Sequence, residues 1–386
     1  DKAGLRAGDL IVKIDNIEVS SYEDDPRELL KGAAGSKVEV IYDRQGKTNT
    51  TTITRGAVEI SAVPYYTLIN QDIGYIVLSK FNNKTTSQTK NALEDLKLQG
   101  AKKIILDLRG NPGGLLNEAI SIVNLFVPKG EVITTTRSII EKYNKVYKTR
   151  SEPFDVSIPL AVLVNGRSAS ASEIVSGGLQ DLDRAVIIGA RSFGKGLVQR
   201  PKKLTYGSQL KVTISRYYTP SGRCIQALDY WNRDENGDPV RLEPKEYSAF
   251  KTKGGRTVYD GGGILPDIEI ASAKFSPITT ALLKDNAIFE YATQYRYSNQ
   301  LERWEDFNFT EKEFQDFRGF LKTGGFHFET QTELKFKDAL RKAEDDNLRI
   351  EIESSYALLM SEIDRAKDEK IINKKAEIVS LLKAEI

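Results

Sequence analysis

Two residue types that most enzymes use freely are almost missing from this chain. Its 386 residues contain one histidine, His327, and one cysteine, Cys224. A Ser–His–Asp triad needs a histidine, and a structural zinc site needs several histidine or cysteine ligands. His327 stands in Gly-Gly-Phe-His-Phe, far along the chain from every other chemical motif, and reads as a loop or strand residue. Cys224 has no partner for an internal disulfide and reads as a free thiol, buried or half-buried. The one thiol enzyme these counts allow is a Cys224–His327 dyad. Any other enzyme here must draw on Ser, Lys, Asp, Glu or Tyr, or on a bound cofactor.

Further absences narrow the class. No stretch reaches the roughly 18 apolar residues of a membrane span, so none is expected. Basic and acidic residues nearly balance at a net charge of +2, which leaves no field for nucleic acid or membrane. The chain opens at Asp1 without an initiator methionine or a signal peptide, so it is expected to be a fragment or processed form. Its length is enough for two or three domains.

Residues 1–57 read as a small β-rich module. Leu10-Ile-Val-Lys-Ile-Asp15 is a short strand, 21–33 looks helical with Leu29 and Leu30 inward, and 38–54 reads as a hairpin around Asp43-Arg-Gln-Gly46. Residues 58–271 alternate strands and helices. Strands are expected near 74–78, 103–108, 159–164 and 185–188, and helices over 85–99, 115–126 and 171–180. That alternation implies mostly parallel pairing, with sites at strand C-terminal ends. Residues 272–386 are more charged. Thr310-x-x-Glu313 is a capping-box signature with Gly324-Gly325 as a stop. Phe307, Phe309, Phe314, Phe317 and Phe320 read as core. Tyr356, Leu359, Ile363, Ile371, Ile378 and Leu382 recur at helical spacing, which suggests a helical accessory domain for packing or self-association.

Three short motifs carry chemistry. Asp107-Leu-Arg-Gly-Asn-Pro-Gly113-Gly114-Leu115 follows a buried strand and opens a helix. Its glycines let backbone N–H groups approach an anion or oxyanion, although a tight turn alone would look the same. Asn165-Gly-Arg-Ser168-Ala-Ser170-Ala171-Ser172-Glu173 also joins a strand to a helix. A serine there projects its Oγ beside helix N–H groups, which suits a nucleophile. Ser170-x-x-Glu173 is equally a capping box, and the pattern does not choose among the three serines. The third is Ser192-Phe-Gly-Lys195-Gly-Leu-Val-Gln199. If 195–199 is a strand, Lys195, Leu197 and Gln199 share a face. Leu197 then desolvates the amine and Gln199 orients it. The competing readings are a solvated turn and a P-loop. Gly189 to Lys195 fits the first seven P-loop places, but Gly196 stands where Ser or Thr should hold magnesium, and a strand rather than a helix follows.

Together the motifs resemble the carboxyl-terminal processing, or tail-specific, proteases, which are Ser–Lys serine peptidases carrying a PDZ domain. The PDZ part of the resemblance rests on Ala3-Gly-Leu-Arg-Ala-Gly-Asp-Leu-Ile11, Ile14-Asp15 and Gly35-Ser36. It covers only the later part of such a domain, so the first strand and carboxylate-binding loop are expected upstream of Asp1. Tyr217-Tyr-Thr-Pro-Ser-Gly-Arg223 and Pro266-Asp267 are similar to family landmarks, and 227–262 looks like an insertion.

The resemblance implies an α/β, crotonase-like protease core at 58–271, a truncated PDZ domain at 1–57 and a helical domain at 272–386. It implies Ser170 as nucleophile, Lys195 as general base and Gln199 as its support. The oxyanion would be held by Ala171 and by Gly113 or Gly114, with no metal or other cofactor. It further implies protein substrates cleaved near exposed C-terminal tails, and a periplasmic or cell-envelope location. The alternative is an inactive scaffold that binds peptides through its PDZ part.

Overall fold

The structure is a computed structural model describing residues 2–271, 275–299, 309–324, 326 and 328–386. Phe307, Gly325 and His327 lie outside the described residues. The chain forms two compact units, Asp1–Val58 with Ala273–Ile386, and Glu59–Ser272.

The first unit begins with four antiparallel strands in the order β2-β1-β3-β4, namely β1 (Leu10–Ile14), β2 (Ile17–Glu18), β3 (Lys37–Arg44) and β4 (Lys47–Thr54). Gln45 and Gly46, at φ +53° and +77°, form a two-residue turn between paired Arg44 and Lys47. Left-handed geometry at both positions matches the twist of a hairpin. Arg44 Nε donates to Asp9 at 2.6 Å and holds the Asp9 carboxyl below its usual range. The helix expected over 21–33 is reduced to a 3-10 turn, Pro26–Leu30. Gly32 and Gly35 follow at once and Leu30 stays exposed, so no apolar face forms to support a longer helix.

The second unit is built on a six-stranded sheet. Its strands are β5 (Tyr65–Ile69), β6 (Ile73–Val77), β7 (Lys103–Asp107), β10 (Leu160–Val164), β11 (Val186–Gly189) and β18 (Ile268–Glu269), in the order β18-β11-β10-β7-β6-β5. All neighbours are parallel except β5 and β6. Helix α1 (Thr85–Leu98) packs on β5 and β6, α3 (Ala171–Asp181) on β11, and α2 (Leu116–Asn124) against both helices. Their apolar faces close one core, with Leu93, Leu96, Ile122, Val123, Val175 and Leu179 against Ile104, Leu106, Val162 and Ile187. One face of β7 and β10 is buried in this core and the other, with Ile105, Ala161 and Leu163, is half-buried, so both faces carry apolar residues and the strands read as continuous apolar runs.

A second, antiparallel sheet has the order β12-β13-β8-β9, from β8 (Val132–Arg137), β9 (Lys145–Lys148), β12 (Leu197–Lys203) and β13 (Gln209–Tyr218). Within the insertion read at 227–262, β14 (Leu228–Arg233) pairs with β15 (Pro239–Arg241), and β16 (Ala249–Lys251) with β17 (Thr257–Tyr259).

The remainder of the first unit is helical: α4 (Pro277–Lys284), α5 (Ala287–Ser298), α6 (Glu311–Thr323), α7 (Gln331–Asp345), α8 (Arg349–Asn373) and α9 (Lys375–Glu385). Thr310 caps α6, donating its N–H to Glu313 at 2.8 Å while its Oγ1 accepts from Lys312 N–H. Phe309, Phe314 and Phe317 are buried, and Phe320 packs on them. The apolar series of α8 and α9 divides in two. Ile371, Ile378 and Leu382 are buried in this unit's own core, whereas Leu358 and Leu359 are exposed and Tyr356 and Ile363 half-buried. Among the described residues, no helix is long and apolar enough to cross a membrane.

Candidate active site

The three motifs leave the C-terminal ends of β7, β10 and β11, which are adjacent in the sheet. Parallel pairing therefore brings together loops that lie far apart in sequence. Asn111, buried, joins the first two. Its carbonyl accepts from Ala169 N–H at 3.0 Å and from Ser172 Oγ at 3.0 Å, and its Nδ2 donates to the Leu78 carbonyl at 2.7 Å. Asp107, at the end of β7, accepts from Tyr75 Oη at 2.6 Å and from the Arg109 guanidinium.

The three serines separate cleanly. Ser168 is buried and donates its Oγ to the Leu108 carbonyl at 2.8 Å. Ser172 is buried with its Oγ tied to Asn111. Ser170 is half-buried at the turn into α3, with φ +58° and ψ −111°. That backbone region is strained for a residue with a Cβ, and it is how a sharp strand-to-helix turn presents a nucleophile. The bonds fixing Ser170 run through its main chain: N–H to Glu173 Oε2 at 2.8 Å, and carbonyl from Glu173 N–H at 2.9 Å. The capping-box reading and the nucleophile reading are thus compatible.

Gly113 lies directly against this turn. A Cβ on it, at φ +99°, would come 2.7 Å from the Ala169 carbonyl oxygen and 2.9 Å from Ala171 N and Ser170 Cβ. Only glycine lets the two loops approach this closely. Gly113 N–H is donated to Asn111 Oδ1 at 2.8 Å. Among the described residues, no acceptor holds the N–H of Gly114 or of Ala171.

Lys195 is half-buried in an extended stretch before β12 and not within the strand. Its flanking glycines are needed for packing: a Cβ on Gly194 would come 2.3 Å from Ala227 Cβ, and one on Gly196 2.8 Å from Gln226 N. The segment runs into a strand, so it does not have the loop-to-helix shape of a P-loop. The alternation expected for 195–199 fails at a register shift between Val198 and Gln199. Gln199 is exposed, and its Nε2 donates to Thr213 Oγ1 at 3.4 Å instead of meeting Lys195.

Residues 72–230 match Peptidase family S41. Over these residues the chain is similar to peptidase family S41. Residues 1–44 match a PDZ domain, and 278–386 match the C-terminal helical domain of a probable PDZ-protease.

Among similar proteins, the carboxy-terminal-processing protease of Bartonella bacilliformis is 41% identical over 59% of this chain and 53% of its own length. The chloroplastic C-terminal processing peptidase of Tetradesmus obliquus is 37% identical over 59% and 52%. The carboxy-terminal processing protease CtpA of Bacillus subtilis is 29% identical over 90% and 69%. The chain spans about half the length of the first two. Of solved structures, the photosystem II D1 C-terminal processing protease aligns at 31% identity over 70% of this chain and 64% of its own, with a TM-score of 0.41.

Sequence reading missed what holds this candidate site together. Glu173 is fully buried. Its Oε1 accepts from Ser192 Oγ at 2.6 Å and Gly194 N–H at 2.7 Å, and its Oε2 accepts from Ser170 N–H at 2.8 Å and Lys195 N–H at 2.9 Å. Burial pushes the Glu173 carboxyl above its usual range, against the pull of these four bonds. Tyr217 is also buried. Its Oη donates to the Lys195 carbonyl at 2.6 Å and lies 3.4 Å from the Ser170 carbonyl. Burial pushes its phenol well above its usual value. The signals were present, a glutamate three places after Ser170 and a tyrosine in a family landmark. Neither pattern says which loops such a side chain will meet.

Proposed function

We propose that this protein is a serine endopeptidase that cleaves proteins near their C-termini through an acyl-enzyme formed on Ser170, with Lys195 as base. One observation carries the reading. The half-buried serine, held at a left-handed turn, and the lysine of a second loop have their main chains fixed on the same carboxylate oxygen, Glu173 Oε2.

In the first step Ser170 Oγ attacks the scissile carbonyl carbon, and its proton passes to the neutral amine of Lys195. The oxyanion is stabilised by the N–H of Ala171 and one from the glycine pair. We assign the second donor to Gly114, because Gly113 N–H is held by Asn111. Collapse expels the amine product, which takes its proton back from Lys195. Water then attacks the ester with Lys195 again as base, and Ser170 is released. Every step uses side chains and amides of this chain, and no metal or other cofactor takes part. Gln199 is assigned to supporting the Lys195 amine, which requires it to leave Thr213 when substrate binds.

The substrates proposed are proteins with exposed C-terminal tails, and the setting is a periplasm or cell envelope. In this reading 1–57 is the later part of a PDZ domain, 58–271 the protease core, and 272–386 an accessory domain that mediates self-association. Ser170→Ala should abolish both proteolysis and labelling by a fluorophosphonate probe with no loss of folding. Ser168→Ala and Ser172→Ala should still label. Labelling of the Ser170→Ala variant would move the nucleophile elsewhere.

A further inference from the structure

The two buried polar side chains at the site are arranged as opposite jaws around the same pair of residues. Glu173 takes the N–H of Ser170 and the N–H of Lys195 on one oxygen, at 2.8 and 2.9 Å. Tyr217 Oη meets the carbonyls of the same two residues, at 3.4 and 2.6 Å. Two side chains therefore hold three of the four main-chain polar groups of Ser170 and Lys195, and the fourth, the Ser170 carbonyl, lies 3.4 Å from Tyr217 Oη while it accepts from the N–H groups of Glu173 and Ile174 at 2.9 and 3.0 Å.

The jaws come from separate elements. Glu173 is in the first turn of α3, and Tyr217 is on β13 of the second sheet. Each is locked in turn. Glu173 Oε1 is held by Ser192 and Gly194, and Tyr217 N–H donates to the Gly196 carbonyl at 2.9 Å. Neither side chain reaches solvent, so neither is available to touch a substrate.

We propose that Glu173 and Tyr217 are positioning residues that together set the separation and orientation of Ser170 and Lys195. This rests on the Ser170–Lys195 reading above. The physical need for such a clamp is clear. The two residues sit on different loops, Ser170 in a strained conformation and Lys195 in an irregular stretch before its strand. Proton transfer from Oγ to an amine requires hydrogen-bond reach, and a displacement of about 1 Å can cost about a hundredfold in rate. A buried carboxylate accepting four donors and a buried phenol leave the loops little freedom to drift.

The test is the second-order rate constant for fluorophosphonate labelling of Ser170, measured on the whole chain. A rate constant reports on the folded, reactive fraction, so a loss of folded protein alone lowers labelling yield and leaves the constant unchanged. Tyr217→Phe keeps the ring and removes one oxygen. It should lower the constant by about tenfold or more. Glu173→Gln keeps the shape but replaces one acceptor oxygen with a donor, and should do the same. Combined with Lys195→Ala, Tyr217→Phe should add no further loss, since it acts through the lysine. A smaller fall in the constant for Tyr217→Phe, or an undiminished fall in the Lys195→Ala background, overturns the clamp while the nucleophile reading stands. A wild-type chain that does not label at Ser170 overturns the nucleophile reading and the clamp with it.

Discussion

Gly113 shows how narrow the tolerance is at single positions of this site. It is left-handed, and the space a side chain would need is filled by Ala169, Ser170 and Ala171. Adding one methyl group must move either the glycine loop or the serine turn. Gly113→Ala should therefore lower Ser170 labelling by about a hundredfold while the melting temperature changes little compared with a core cavity. An alanine variant that labels at the wild-type rate would show that the loop can yield. The glycines of this motif were legible in the sequence as an anion cradle or a tight turn. The need for glycine at 113 comes from the turn Ala169–Ala171, and at 114 from the Phe81 main chain, both distant along the chain.

Elements here are held by few but specific ties, and these give predictions that single residues do not. Asp155, in the loop leading to β10, accepts from Lys97 near the end of α1 at 2.7 Å and from the N–H groups of Ser157 and Ile158. The Lys97 hydrogen bond holds its carboxyl well below the usual range. A carboxyl lowered in the folded state binds fewer protons there than when unfolded. Its stabilisation is therefore full above its ordinary value of about 3.9 and is lost as pH falls through the folded value. Urea midpoints should drop steeply on acidification below about pH 4, and Asp155→Asn should flatten that branch. An unaltered acid branch in the variant would remove Asp155 from the account.

The C-terminal helices illustrate a different limit. Their apolar spacing was visible, but not which residues the chain would cover itself. Ile378 is buried in the helical core, so Ile378→Ala should cost about 2–5 kcal/mol in a denaturant titration. Leu358 is 68% exposed, so Leu358→Arg should leave stability unchanged. If this face mediates self-association, that variant should lower the mass in sedimentation. A mass that does not change would leave the exposed stretch of α8 without that role.

At the scale of the whole molecule, the two units each close their own core. The large cluster from Ala62 to Ile264 lies within Glu59–Ser272, and the smaller one from Ile278 to Leu382 lies within the other unit. A fragment of 59–272 should therefore fold alone, with one cooperative melting transition and a dispersed amide spectrum. A molten fragment would mean that its core needs the other unit.

By itself the sequence determined the chemistry available and the order of elements. One histidine and one cysteine left only His327 for a Ser–His–Asp triad and too few ligands for a structural zinc site built on histidine and cysteine. Strand–helix alternation and buried apolar runs set a mostly parallel sheet, and the three motifs carried the family resemblance. These are local properties, carried by residue type and by periods of two and 3.6. Only tertiary structure decided that Ser168 and Ser172 are tied down while Ser170 is strained and reachable. The register shift that turns Gln199 away from Lys195, and the engagement of Ser170 and Lys195 by Glu173 and Tyr217, were likewise decided there. Each depends on groups from strands adjacent in space and distant in sequence, and on hydrogen bonds that exist only once the sheet order β7-β10-β11 is formed.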